Sequence, residues 1–279
     1  MEAPSVVIVI PIYKEKLNAL EALSIQQCFN ILGSHQIVAL KPSSLSVTNY
    51  NYSFQKIISF DDSYFQDVAG YNRLMLSPEF YRSFLEYDFM LIYQPDAFVF
   101  KDELLYWCNS GYDYIGAPWL RKGDYPDFVK KWKNKMLNYL HRKLNLKQPG
   151  SHLPTDIQQE NMVGNGGFSL RRIKKFYNLC IEEQALIDHY NSMREHYFHE
   201  DVFWSIEVNR KKTRLSIPSY KTAVHFSMEN NSDFGFKLSG GKLPFGCHAW
   251  DKNLDFWAPI LKAQGIEIDL PVTKLNTGE

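Results

Sequence analysis

Two short runs constrain this chain more than anything else in it: VVIVI at 6–10, stopped by Pro11, and FMLIY at 89–93, stopped by Gln94-Pro95-Asp96. A strand that is apolar at every position has both faces covered, as in a parallel sheet with helices on each side. After the first run, Leu17, Leu20, Leu23, Cys28, Phe29 and Leu32 recur at helical spacing up to Gly33, and QIVAL at 36–40 reads as a second strand. That β-α-β opening is the parallel crossover unit. Lys56 to Phe60 reads as a third strand, and Ser77-Pro78 as the N-cap and first-turn proline of a helix leading into FMLIY. DYIGAP at 113–118 reads as a further strand end. The expected architecture is α/β, a mostly parallel central sheet flanked by helices, in a single domain. Ligands in such sheets sit beyond the carboxyl ends of the strands, which is where Asp96 falls. A proline-aspartate pair is also common turn chemistry, so the segment alone does not decide what Asp96 does.

Composition narrows the function classes. The formal net charge of the 279 residues is zero, which argues against a general nucleic-acid binder. Cys28, Cys108, Cys180 and Cys247 are far apart, with no CxxC pair, and read as core thiols in a reducing compartment. MEAPSVVIVIPIYKEK lacks a charged start followed by a long apolar stretch, so a cytoplasmic location is expected.

Residues 121–148 stand apart, with nine Lys or Arg against two Asp. Trp132, Met136, Leu137, Leu140 and Leu144 share one helical stripe with lysines around them. Either this stripe packs on the core, the favoured reading, or the helix near 128–146 meets an anionic membrane surface.

Three dense segments follow: GNGGFSLRR, HEDVFW and PFGCHAW. Gly164 to Gly167 meets neither the phosphate-loop pattern nor the dinucleotide fingerprint, leaving a backbone that a ligand can approach closely and Asn165 as a hydrogen bonder. Arg171 and Arg172 are expected at the start of a following helix. Glu200 and Asp201 at a helix start are explained by capping, yet the two project about 100° apart, so one can face a cleft as a general base. His196 and His199 are a weak metal pair without a third ligand. His248 gains weight only if it meets Asp96.

Together VVIVIPIYKE, the strand ending near residue 96, GNGGFSLRR, HEDVFW and the late histidine resemble a GT-A-type glycosyltransferase. More narrowly, YNRLMLS, FMLIYQPDAF, DYIGAPW, GNGGFSLRR, HEDVFW and PFGCHAW resemble a bacterial domain-of-unknown-function family taken to be glycosyltransferases of surface-polysaccharide gene clusters. The resemblance implies a GT-A-like, Rossmann-like fold, with a nucleotide-binding half at about 1–120, a basic helical insertion at about 121–150 and an acceptor half at about 151–260. It implies a hexosyltransferase-class enzyme moving a sugar from a nucleotide-sugar donor, taken as a UDP-sugar, to a glycan or lipid-linked glycan, with inversion. On it, Asp201 or Glu200 is the base. Pro11, Ile12, Tyr13, Arg73, Gln94, Asp96, Asn165, Gly166, Gly167 and His248 bind the donor. Trp119, Trp204 and Trp250 stack on the acceptor, each with core packing as the competing reading. The family's Asp-x-Asp is here Gln94-Pro95-Asp96, so a Mg²⁺ or Mn²⁺ ion would have Asp96 and His248 as ligands, and Arg73, Lys242 or His248 would otherwise balance the diphosphate. Two rivals remain. A sugar nucleotidyltransferase needs a glycine-rich loop where PIYKEKLN stands, and a non-catalytic nucleotide- or glycan-binding module predicts binding without turnover.

Overall fold

Every residue of β1 (Val6–Pro11) is buried, and alternate side chains enter different cores. In the computed structural model, which describes residues 3–47 and 50–268, this strand lies at the centre of a six-stranded sheet of order β3-β2-β1-β4-β7-β6. The other strands are β2 (Gln36–Pro42), β3 (Lys56–Phe60), β4 (Phe89–Tyr93), β6 (Tyr114–Ile115) and β7 (Phe168–Arg172). β1 to β4 run parallel and β7 is antiparallel to both its neighbours, so the sheet is mostly parallel, as expected.

Val7, Val9, Val38, Leu40, Met90 and Ile92 face one core, and Val6, Ile8, Ile10, Ile37, Ala39 and Leu91 face the other. Complete burial of each such side chain stabilises the fold by roughly 1.5–3 kcal/mol, which is why the runs carry no polar break. The first core is covered by α2 (Val68–Met75), α3 (Pro78–Arg82), α6 (Ile173–Glu182) and α7 (Gln184–Ser192). The second is covered by α1 (Ala19–Leu32) and α4 (Leu104–Cys108). The expected helix start at Ser77 is present, its hydroxyl accepting from the Phe80 N–H. All four cysteines are buried free thiols.

Arg171 and Arg172 do not begin a helix. They lie on β7, where Arg171 is in register with Met90 and Tyr114, and α6 starts at Ile173. Alternation sends Phe168 and Leu170 into the second core, so Ser169 and Arg171 point to the opposite face.

A second sheet of three two-residue strands, ordered β5-β9-β8, is built from β5 (Phe98–Val99), β8 (Ser227–Met228) and β9 (Gly246–Cys247). β8 and β9 run parallel and β5 opposes β9, so the ends of β8 and β9 meet the start of β5. A third core under this sheet gathers Phe98, Met228, Cys247, Trp250 and Trp257.

The favoured reading of the basic helix is overturned. α5 (Phe128–Leu144) turns its stripe outward: Trp132 is 58% exposed, Leu140 43% and Leu144 64%, and Asn138 is the helix's buried residue. No helix among the described residues is long and apolar enough to cross a membrane.

Candidate functional site

A cleft of about 610 Å³ opens at the carboxyl ends of β1 and β4, lined by Tyr13, Tyr71, Asn72, Gln94, Asn165 to Gly167, His199 to Asp201, His248 and Lys252. Its floor is the glycine loop. The Gln94 N–H donates to the Gly167 carbonyl at 2.8 Å, and the Asn165 side-chain oxygen accepts from the Gly167 N–H at 2.9 Å. None of Gly164, Gly166 and Gly167 has a positive φ, so conformation does not explain them. Close approach does. A Cβ on Gly166 would lie 2.2 Å from Glu200 Oε1, and one on Gly167 would lie 2.0 Å from His248 Nε2. Adjacent residues are therefore pressed against charged groups on two flanks.

On the first flank, Glu200 opens a short helical turn (Glu200–Val202) that widens into a π-helical stretch over Phe203–Glu207. Its carboxylate does not cap the turn. Instead Oε1 accepts from Arg171 Nη2 at 2.9 Å, and the Glu200 N–H donates to Asn72 Oδ1 at 3.1 Å. Arg171 is fully buried and also donates to Tyr81 Oη and Ser169 Oγ, at 2.9 and 3.1 Å. Burial pushes the Glu200 carboxyl up and outweighs the pull of Arg171. Glu200 Oε2 is buried with no hydrogen-bond partner. Asp201 is pushed up to about 8, first by burial and then by the charge of Glu200. Sequence reasoning missed Arg171, although the alternation F-S-L-R could have placed it on a strand face with Ser169.

The second flank is assembled by the small sheet: Asp96 precedes β5, Glu229 follows β8 and His248 follows β9. His248 Nε2 lies 3.1 Å from Asp96 Oδ1 and 3.0 Å from Gln94 Oε1, and Nδ1 lies 3.1 Å from Glu229 Oε1. Every partner is an acceptor, so the ring carries both protons. Burial lowers its pKa, but the two carboxylates more than offset this and raise it to about 10. Desolvation would raise Asp96, and His248 more than compensates, holding it below the usual carboxylate range.

Asp96 and His248 do meet, as an ion pair. Both ring nitrogens are engaged with acceptors, which leaves no lone pair for a metal, and among the described residues no group of three or more His, Cys, Asp or Glu is placed to hold one. As arranged, the residues suit an imidazolium and do not fit a Mg²⁺ or Mn²⁺ centre with His248 as ligand.

Several expected site residues lie elsewhere. Pro11 and Ile12 are buried in the sheet, and Tyr13 is the residue of that strand end that reaches the cleft. Arg73 lines a separate depression and donates to the Ser63 carbonyl. Lys242 is on an exposed turn, and Lys252 is the lysine in the cleft. Trp204 and Trp250 are fully buried, packed on Phe176 and Phe98, and have no face for a sugar. Trp119 is half-buried near Gly164 and outside the cleft lining.

Fold and cleft together define an α/β protein whose strand-end cleft sets a high-pKa carboxyl and a buried cation on either side of a glycine floor. The chain belongs to the DUF5672 family, described as a protein of unknown function, whose family model matches residues 54–248. None of the curated proteins matches it.

Proposed function

We propose that the protein is a GT-A-type glycosyltransferase that moves a sugar from a nucleotide-sugar donor, taken as a UDP-sugar, to a glycan or lipid-linked glycan acceptor with inversion. The observation that carries this reading is the division of labour across the glycine floor: a proton acceptor at Asp201 on one side, and on the other the Lys252 cation beside a His248 imidazolium that offsets Asp96 and Glu229.

An acceptor hydroxyl is too weak an acid to attack unaided. Asp201 takes its proton as the new C–O bond forms at the anomeric carbon and the bond to the diphosphate oxygen breaks. A pKa of about 8 keeps the carboxylate basic enough to accept that proton yet largely ionised in mildly alkaline solution. The charge that builds on the departing diphosphate is met by Lys252, while the His248 imidazolium offsets the charge of Asp96 and Glu229 beside it. Tyr13, 47% exposed, offers its ring to the nucleotide base. Gly166 and Gly167 keep Glu200 and His248 pressed against the cleft floor. No step here is routed through a divalent ion.

A thermal-shift panel of UDP, GDP, CMP and dTDP nucleotides and their sugars, each with Mg²⁺, Mn²⁺ or EDTA, tests the reading. A true donor at about a hundred times its Kd stabilises the native state by about 2.7 kcal/mol. We expect a nucleotide-specific rise in Tm that survives EDTA. A rise abolished by EDTA would return Asp96 to a metal, and no rise with any nucleotide would defeat the donor assignment.

A further inference from the structure

α5 is inside out. Its protein-facing positions, Lys131, Asn134, Asn138, His141 and Arg142, recur at three- and four-residue spacing and are all polar. Most of them find partners there: Asn138 donates to Glu160 at 3.3 Å, His141 bonds Thr155 Oγ1 at 2.7 Å, and Lys131 lies 3.5 Å from Asp124, while Asn138 Oδ1 is buried without a partner. Phe128, Val129, Trp132, Met136, Leu140 and Leu144 form the opposite arc, with Phe128 and Val129 79% and 71% exposed. The helix is secured at both ends, by Asp127 accepting from the Lys130 N–H at 2.7 Å and by Asn145 in the left-handed region at φ 49°. An apolar arc this long on a capped helix marks an interaction surface.

Charge selects the occupant. Between Phe128 and Leu144 there are six Lys or Arg and no Asp or Glu, and Lys130, Lys133 and Lys135 are exposed beside the arc. Lys211 and Lys212 line an open cleft of about 620 Å³ that Tyr139 and Lys143 of α5 also border. Asp124 and Asp127, which lead into α5, each sit within 4.0 Å of a lysine, and Glu160 lies on its protein-facing side. A second copy laid on this face would set these cations against their own kind. An anionic bilayer surface meets both demands, with apolar side chains entering the acyl boundary and lysines the headgroup layer. We infer that the outer face of α5 docks the protein on an anionic lipid surface. The inference stands independently of the chemistry assigned to the cleft.

The test is co-sedimentation of the full chain with vesicles of phosphatidylcholine alone and of phosphatidylcholine mixed with phosphatidylglycerol. Binding is expected to the mixed vesicles only, weakening about fivefold for each of Lys130→Gln, Lys133→Gln and Lys135→Gln. Trp132→Asp with Leu140→Asp should cut it at least tenfold, because each side chain is about half exposed and adds about half of its full burial contribution on entering the bilayer. Both residues are exposed, so Tm should hold. A second measurement backs this up: the tryptophan fluorescence of the unaltered chain should shift to the blue on mixed vesicles and be quenched by bromolipid, and both changes should be lost in Trp132→Phe. Absence of binding, equal binding to neutral vesicles, or binding indifferent to the aspartates overturns the inference. So does a dimer in light scattering that the same aspartates dissociate, since the face would then belong to a second copy.

Discussion

On one side of Gly166 and Gly167 a guanidinium meets a carboxylate inside the protein; on the other an imidazolium meets two carboxylates at the cleft edge. The difference lies in what the cation can do. Arginine stays charged at any accessible pH, so Arg171 is a permanent charge whose burial is tolerable only while Glu200 and Tyr81 are in place. Histidine can release its proton, so the charge on the His248 flank depends on Asp96 and Glu229. The first flank sets the charge beside Asp201, and the second holds a cation whose charge depends on two acids.

The sharpest way to break this comparison is Asp201→Asn. Turnover should fall by about 10²–10⁴-fold while the nucleotide-induced rise in Tm persists, because a general base acts in the transition state. In the unaltered protein the transferase activity proposed above should climb with pH through about 8 as Asp201 ionises. Next in size is Arg171→Met, which leaves the Glu200 carboxylate buried without its partner. It should cost about 3–5 kcal/mol in denaturant unfolding, and adding Glu200→Gln should recover much of that.

The smallest effect sharpens the contrast through pH. Folding raises His248 from an ordinary 6.5 to about 10, so its contribution to stability is complete below pH 6.5 and is lost as pH rises through 10. Asp201, raised from 3.8 to about 8, also loses stability with rising pH, but its loss is largely over by pH 8. The fall in Tm above pH 8 should therefore be shallower in His248→Gln than in the unaltered protein, while Asp201→Asn should change only the slope below it.

Much of the frame was legible in the sequence because it rests on local patterns. VVIVI, QIVAL, KIISF and FMLIY carry their strands, and Ser77-Pro78 carries a helix start. Asp96, Asn165 to Gly167, Glu200, Asp201 and His248 were legible as a set, and the fold brings them around one cleft. Other residues were not. Glu229 is 19 positions from the histidine it holds, and Arg171 is 29 from its carboxylate, with no motif joining either pair. Trp204 and Trp250 carry the same apolar face whether it meets Phe176, Phe98 or a sugar, and the sequence is silent on which.

The sequence by itself determined the four parallel strands of the central sheet, that the sheet has two covered faces, and that α5 has one polar and one apolar side. Tertiary structure decided which side of α5 turns inward, which carboxylate is neutralised by a buried arginine, and that His248 is a cation held between two acids. Periodicity and capping act over a few residues, so they can be read along the chain. Ion pairing and burial depend on what packing brings together from distant segments, so they exist only in the folded molecule.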